Sequence, residues 1–227
     1  MPNQPILLTI AILGGTGKEG KGLAYRWAKA GYRILIGSRT PEKALATAQE
    51  LETLFARIST TAHIEGTSNL DAASKADIAV LTVPYAAHRE TLESVKSALQ
   101  GKILVDVTVP LVPPKVTRAQ MPPAGSAAQE AREILGKGVE VVSAFQNISY
   151  EHILHDEPIE CEVLVCGTSK EARAEVLKLV EAVGLTGWDA GPIENSMVVE
   201  GLTSVLIGIN KQYGSKQAGI RITGAGR

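Results

Sequence analysis

The chain of 227 residues is 44% hydrophobic and 21% charged, a balance typical of one compact domain or of one domain with an appendage. Its net charge of -1 provides no basic field for a polyanion, and this excludes most nucleic-acid-binding proteins. No positive charge precedes the first apolar stretch, and no apolar run approaches the roughly 18 to 20 residues of a bilayer helix. We therefore expect a soluble, cytoplasmic protein.

The first half of the chain alternates between strand-like and helix-like patterns. Leu7–Leu13 is a continuous apolar run, which is typical of a parallel strand covered on both faces. Further strands are predicted at Arg33–Gly37, Ala62–Glu65, Asp77–Val83 and Lys102–Thr108, and helices at Lys18–Ala30, after Thr40-Pro41, at Asn69–Ala76 and at Tyr85–Leu99. Five strands with helical crossovers indicate an α/β fold with a Rossmann-like, doubly wound parallel sheet.

The second half begins with an irregular loop between Val109 and Pro123, which holds five of the eleven prolines. Proline is excluded from helix interiors and central strands, and long irregular loops are often functional. After it, helices are predicted at Ser126–Leu135, Ser169–Val183 and Asn195–Lys211, and strands at Val139–Ser143, Glu162–Cys166 and Thr186–Asp189. We expect a nucleotide-binding domain at 1–143 and, at 144–227, a sheet extension with a small, mainly helical C-terminal part.

A glycine motif follows the first predicted strand and opens the first predicted helix. It has the form G-x-G-x-x-G and comprises Gly15, Thr16, Gly17, Lys18, Glu19 and Gly20. In dinucleotide-binding proteins the first glycine makes a tight turn, the second lets the backbone approach a pyrophosphate, and the third lets helix and strand pack closely. The alternative is a glycine-rich turn without a ligand.

The end of the second strand indicates which dinucleotide binds. A site for NAD carries a carboxylate there, whereas this chain has Ser38 and Arg39, with Lys43 one helical turn later. A hydroxyl, a guanidinium and an ammonium group match a ribose 2′-phosphate, so NADP is favoured. The alternative is that Arg39 and Lys43 are solvated surface charges.

Two proline-terminated strands point to the same edge of the sheet. Thr82, Val83 and Pro84 end one strand, and residues 107–110 (VTVP) follow the next. Ligands bind beyond the carboxyl ends of such strands, so these residues are predicted to border the nicotinamide ribose and ring. The alternative is that each proline only ends its strand.

The remaining histidines and cysteines carry weaker signals. His152 and His155, beside Asp156 and Glu157, could bind a divalent ion, but a solvated connection is the simpler interpretation, and no metal is predicted. His63 and His88 stand alone in the sequence and are predicted to have no chemical role. Cys161 and Cys166 would point to opposite faces of a strand, which disfavours a mutual disulfide.

With these residues in hand, the sequence resembles the NADPH-dependent reductases of coenzyme F420, an 8-hydroxy-5-deazaflavin. The resemblance spans nearly the whole chain, and its motifs are ILGGTG at 12–17, IGSR at 36–39, VLTVP at 80–84, VSAF at 142–145, VCG at 165–167, DAGP at 189–192 and AGIRITG at 218–224. It implies a homodimer with NADP(H) as cofactor and the deazaflavin as co-substrate, bound over the nicotinamide. No catalytic side chain is implied, because the cofactors carry out the hydride transfer and the protein orients them.

The resemblance also implies roles for individual residues. Thr16 to Glu19 would bind the pyrophosphate, and Ser38, Arg39 and Lys43 the 2′-phosphate. Ala144 to Ile148 would contact the rings, with Ala144 on the nicotinamide and Gln146, Asn147 and Ile148 on the deazaflavin. Family members commonly carry His where this chain has Gln146. Residues 144–227 would then serve in acceptor binding and dimerisation.

The charge of the C-terminal segment supports this expectation. From Gly201 onward there are four cations and no acids, so this segment carries +4 and the remainder −5. A deazaflavin coenzyme carries a phosphodiester and a glutamate tail, which such a segment would attract. We expect Lys211, Lys216 and Arg221 near the mouth of the pocket of their own subunit or of a dimer partner, with Lys211 and Arg221 as substrate-binding residues.

Two other functions remain open from the sequence. The first is an NADP-dependent reductase of another acceptor, such as an imine, a carbonyl compound, a flavin or a ferric chelate. Reduction of an imine or carbonyl requires a proton donor, for which Tyr85, Lys211 and Tyr213 are candidates. The second is an NADP(H)-binding sensor module without catalysis.

Overall fold

A computed structural model describes residues 8–153 and 158–225. Within these ranges the strands are β1 (Thr9–Leu13), β2 (Arg33–Ser38), β3 (Ile64–Ser68), β4 (Ile78–Leu81), β5 (Ile103–Asp106), β6 (Glu140–Ser143), β7 (Glu162–Gly167) and β8 (Thr186–Pro192). The helices are α1 (Lys18–Lys29), α2 (Pro41–Arg57), α3 (Asn69–Lys75), α4 (Tyr85–Val95), α5 (Ala127–Leu135), α6 (Tyr150–Ile153), α7 (Lys170–Ala182) and α8 (Ser196–Tyr213). The predicted elements are all present, with ends that differ by a few residues. The short helix α6 was not predicted.

The strands form one sheet in the order β3-β2-β1-β4-β5-β6-β7-β8. Every neighbouring pair is parallel except β6 and β7, which are antiparallel. The predicted Rossmann-like α/β fold is confirmed, with the correction that the sheet is mostly rather than wholly parallel. Because β6 and β7 run in opposite directions, the segment between them starts and ends at the carboxyl edge of the parallel strands.

Helices cover both faces of the sheet, which explains the continuous apolar strands. Along β1, Ile10 and Ile12 belong to a core that includes residues of α1, α2 and α7. Ala11 and Leu13 point to the opposite face, into a core with residues of α3, α4 and α5. All four side chains are fully buried.

One aromatic side chain joins three parts of the chain that are distant in sequence. Trp27 of α1 is fully buried, and its indole N–H donates a hydrogen bond to the carbonyl of Leu179 in α7 at 2.9 Å. Its ring meets that of Phe145 edge to face, with centroids 5.7 Å apart. This contact anchors the segment that follows β6.

In the described part of the chain, the helices are either too short or too polar to cross a membrane.

Candidate functional site

A cavity of about 840 Å³ opens at the carboxyl ends of β1, β2, β4 and β5, and α8 forms part of its wall. The sequence-predicted site residues that line it are Thr16, Gly17, Lys18, Glu19, Ser38, Arg39, Lys43, Thr82, Val83, Pro84, Gln146, Asn147 and Ile148. The predicted residues that are not in the lining are Gly15, Gly20, Ala144, Lys211 and Arg221. The fold therefore brings most of both predicted ligand sites to one continuous cavity.

Two consecutive glycines, Gly14 and Gly15, form the turn after β1. Gly14, rather than Gly15, has the left-handed backbone, with φ of 72°. Gly15 completes the tight turn, since its N–H bonds to the carbonyls of Ile12 at 3.1 Å and Gly37 at 3.0 Å. Glycine adopts a left-handed backbone more easily than other residues, which explains why Gly14 stands immediately before Gly15.

The other two glycines of the motif have contrasting surroundings. A Cβ on Gly20 would lie 2.7 Å from both Cα of Gly15 and Oγ1 of Thr82, so α1 packs directly against the strand ends. A Cβ on Gly17 would meet nothing closer than 4.0 Å. Gly17 occupies the N-cap position of α1 without a side-chain cap, and it lines the cavity. The helix N-terminus is thus available to an anion.

Glu19 and Lys18 lie beside this helix start. Glu19 is half-buried, and loss of hydration raises the pKa of its carboxyl group to about 8. At neutral pH a protonated Glu19 would add no negative charge next to a pyrophosphate. The ammonium group of Lys18 lies 4.8 Å from the ring centroid of Tyr150, which joins α1 to α6 across the cavity.

Asn69 is a lining residue that the sequence analysis missed. Its side-chain oxygen accepts a hydrogen bond from the N–H of Gly14 at 3.1 Å, and a Cβ on Gly37 would lie 2.7 Å from that oxygen. Asn69 therefore ties the start of α3 to the glycine loop. Only its position at the start of a predicted helix was visible in the sequence, because its partner lies 55 residues away.

The proposed 2′-phosphate residues surround the start of α2. Ser38 is 8% exposed, and its hydroxyl oxygen accepts from the N–H of Thr40 at 3.1 Å. The guanidinium of Arg39 is largely exposed and lies 4.0 Å from a carboxylate oxygen of Glu90, a weak surface pair. Lys43 lies in the first turn of α2. The three side chains form a polar, cationic end of the cavity.

At the other end, Phe145 and Gln146 follow β6. Phe145 has φ of 74°, a conformation that is strained for a bulky residue, and its buried ring is held by Trp27. The next side chain turns back to β5, where Nε2 of Gln146 donates to the carbonyl of Asp106 at 2.7 Å. A carbonyl can only accept, so the orientation of the Gln146 amide is defined.

Asn147 is held in a similar way by α8. Its Nδ2 donates to the carbonyl of Val199 at 3.0 Å and to the hydroxyl oxygen of Thr203 at 3.2 Å. The Thr203 hydroxyl in turn donates to the carbonyl of Gln146 at 2.9 Å. The amide oxygens of Gln146 and Asn147 are buried and have no hydrogen-bond partner within the described structure. Both residues line the cavity, and buried oxygens without a partner are atoms that a bound group or an ordered water commonly satisfies.

The proline-rich loop supplies an apolar wall. Val109, Leu111, Pro113 and Val116 line the cavity opposite the residues of α8. Val83, Ile148 and Leu206 add to this apolar surface. Such a wall suits the face of a flat ring and excludes water from it.

The prediction that His88 is isolated is wrong. Its Nε2 lies 2.7 Å from Oδ2 of Asp106, and its Nδ1 lies 3.6 Å from Oε2 of Glu130. His88 and Asp106 are fully buried. His63, by contrast, is exposed at the edge of the sheet. No sequence signal paired His88 with Asp106, because the two residues lie on different elements, 18 positions apart.

The candidate proton donors are poorly placed or poorly acidic. Tyr85 lines the cavity, but its hydroxyl donates to Glu130 at 3.0 Å. Burial and this hydrogen bond raise the pKa of Tyr85 to about 12. Lys211 and Tyr213 are exposed near the end of α8 and do not line the cavity.

Among the cations of the C-terminal segment, Lys216 lines the cavity. Arg221 is exposed and, like Lys211, lies outside the lining. Arg227 lies outside the described residues. So do His155, Asp156 and Glu157 and the side chain of His152, the candidate metal-binding group.

Comparison with known proteins identifies the family. Residues 9–110 match the family model described as "NADP oxidoreductase coenzyme F420-dependent". The F420-dependent NADP reductase of Methanocaldococcus jannaschii is 42% identical to this chain, covering 95% of the chain and 98% of that protein. The chain belongs to the F420-dependent NADP reductase family.

A second relative agrees with this membership. The F420-dependent NADP reductase of Methanothermobacter marburgensis is 39% identical, over 95% of this chain and 98% of that protein. A solved structure agrees with the fold: the crystal structure of a protein from Arthrobacter sp. FB24, described as a "putative f420 dependent nadp-reductase", superposes with a TM-score of 0.81. It is 24% identical and covers 95% of this chain and 99% of its own, so it supports the fold.

Proposed function

We propose that this protein transfers a hydride between NADPH and the deazaflavin coenzyme F420, both bound in the one cavity. The observation that carries the proposal is the division of that cavity into two ends. One end has an uncapped helix N-terminus with Ser38, Arg39 and Lys43, which suits a phosphorylated dinucleotide. The other has apolar walls and two buried amide acceptors, which suit the edge and faces of a ring.

The residues of the ring end orient rather than react. When bound, the nicotinamide and the deazaflavin supply the hydride chemistry. The oxygens of Gln146 and Asn147 accept N–H groups of a ring or of its amide substituent, while Val109, Leu111 and Leu206 exclude water from its faces. A Tyr85 hydroxyl with a pKa of about 12 is a weak acid at neutral pH, which disfavours imine or carbonyl reduction.

The direct test is to mix the protein with NADPH and one acceptor at a time, under exclusion of oxygen. We expect coenzyme F420 to be reduced with a kcat/KM at least about 100-fold above that of free flavin, a cyclic imine or a ferric chelate, a difference of roughly 2.7 kcal/mol. Loss of nicotinamide and deazaflavin absorbance measures the rate. Turnover of an imine or ferric chelate without turnover of the deazaflavin would contradict the proposal.

The cationic end predicts a preference between nucleotides. NADPH should bind at least tenfold more tightly than NADH, about 1.4 kcal/mol, because Arg39 and Lys43 reach only the 2′-phosphate. The double variant Ser38→Asp, Arg39→Ala should reverse the order, as measured by calorimetry. Arg57→Ala, a change of an exposed cation at the far end of α2, is the control and should leave both affinities unchanged. Equal affinities in the unaltered protein would refute the preference.

The acceptor tail is proposed to meet Lys216. The phosphodiester and glutamate groups of the coenzyme carry negative charge, and Lys216 is exposed at the cavity. Lys216→Ala should lower kcat/KM for the deazaflavin several-fold at low salt and flatten its decline with added salt. Lys211→Ala, on the same exposed segment but away from the cavity, is the matched control. If the two variants have equal salt slopes, neither lysine is specific for the tail.

We propose that the protein is cytoplasmic and forms a homodimer. The exposed apolar residues of α8 support the dimer. Val198, Val205 and Ile209 are 61%, 52% and 40% exposed and lie on one stripe of α8, opposite its buried side. An exposed apolar stripe of this length favours association with a second copy. Sedimentation at micromolar concentration should give a single species of about twice the 24.0 kDa chain mass, and Val205→Asp should shift it toward the monomer. A monomer in the unaltered protein would exclude this assembly.

A further inference from the structure

A charged pair lies buried behind the cavity wall, at the end of β5. Asp106 is the last residue of β5 and lies in register with Leu81 of β4 and Ser143 of β6. His88, on α4, is its partner at 2.7 Å, and neither residue is exposed. Replacing such a buried pair by apolar residues of similar volume often leaves a protein at least as stable. Stability alone therefore does not account for the pair.

Asp106 holds two pieces of the cavity wall from behind. Its Oδ1 accepts a hydrogen bond from the N–H of Thr108 at 3.0 Å, and its carbonyl oxygen accepts from Nε2 of Gln146 at 2.7 Å. Thr108 and Gln146 both line the cavity, whereas Asp106 and His88 do not. The Thr108 hydroxyl also reaches the carbonyl of Val83 at 3.4 Å. The hydrogen bonds of Asp106 and Thr108 therefore connect the ends of β4, β5 and β6.

The carboxylates around His88 favour its charged form. Burial lowers the pKa of His88, but the carboxylates of Asp106 and Glu130 outweigh this effect, and the net pKa is raised. Glu130 of α5 also receives the Tyr85 hydroxyl and, at 2.5 Å, the Arg89 guanidinium. Glu200 of α8 is a third carboxyl group close enough to interact with Asp106. Without its proton, His88 would leave Asp106 among acidic neighbours, with Arg89 already engaged by Glu130.

We propose that Asp106 is a positioning residue for the acceptor end of the cavity and that protonated His88 keeps it in place. The inference rests on the proposed function, because it concerns where the deazaflavin binds. The backbone carbonyl of Asp106 holds Nε2 of Gln146 at β5, which leaves the buried amide oxygen of Gln146 without a partner in the described structure, while the Asp106 side chain holds the N–H of Thr108 in the cavity wall. A neutral His88 can still donate from Nε2 but no longer balances the charge of Asp106, so the carboxylate holds the N–H of Thr108 less firmly and acceptor binding weakens. The phosphate-binding end, which Asp106 does not touch, is unaffected.

The first test needs no acceptor and follows amide hydrogen exchange of Thr108. Asp106→Ala removes the acceptor of this N–H, so the exchange rate at Thr108 should rise at least about tenfold relative to that at Ile12 in β1. Asp106→Asn returns a side-chain oxygen and should restore most of the protection, which covers the case in which the alanine variant does not fold. Unchanged relative protection in the alanine variant, or an asparagine variant that also loses it, would overturn the positioning role.

The second test uses His88→Gln, whose neutral amide can still donate to Asp106. The ratio of its KM for the deazaflavin to that of the unaltered protein should be about fivefold, roughly 1 kcal/mol, at about pH 6. It should fall toward one as the pH rises through the raised pKa of His88 in the unaltered protein. The ratio cancels the titration of the ligand itself. The Kd for NADPH should stay within about twofold at both pH values.

The control is His63→Gln, which alters an exposed histidine away from this cavity. Its KM ratio should be one at every pH. A His88→Gln ratio that is constant with pH would reduce the pair to a structural role and overturn the inference. If the unaltered protein does not reduce the deazaflavin, the proposed function fails, while the exchange of Thr108 still decides whether Asp106 holds the wall.

Discussion

The strand order reverses at β1, and the candidate site depends on that reversal. From β1 the chain proceeds to β2 and β3 on one side of the sheet and then returns to place β4 to β8 on the other. Connections that leave neighbouring strands in opposite directions open a crevice above their carboxyl ends. Gly20 permits α1 to approach this crevice within contact of Gly15 and Thr82, so the helix N-terminus lies at its floor. The cavity end proposed to bind phosphate is a direct consequence of topology.

The acceptor end has a different origin, in the antiparallel pairing of β6 and β7. Residues 144–150 leave β6 at the carboxyl edge of the sheet. Because β7 is antiparallel to β6, the chain re-enters the sheet at this same edge instead of crossing to the opposite one. Phe145 adopts its left-handed backbone there and is held by Trp27. The strain is thus balanced by burial of an aromatic ring, and the two amide side chains that follow it reach β5 and α8.

The contrast between the two ends explains how far the sequence could be interpreted. The strands, the glycine motif and Ser38, Arg39 and Lys43 were predictable, because periodicity and motif spacing are local in the chain. Asn69 bonds to Gly14 across 55 residues and Asn147 to Thr203 across 56, and neither pairing has a local signal. The direction of β7 was missed for the same reason, since an antiparallel strand and a parallel strand have similar apolar patterns over so few residues.

Besides Tyr85, three titratable groups with raised pKa values lie in or beside the cavity wall, and their surroundings separate structure from function. Glu200, with a pKa of about 8, accepts hydrogen bonds from the N–H groups of Ala127 and Ala128, so it caps α5 from another helix and has a structural reason to be buried. Glu19, also near 8, lines the cavity beside the helix start, where a neutral carboxyl tolerates a phosphate. His88 neither caps a helix nor reaches the cavity. Its strong contact is the Asp106 carboxylate, which accepts from the N–H of the wall residue Thr108, so Asp106 is the one connection between His88 and the cavity wall that these hydrogen bonds describe.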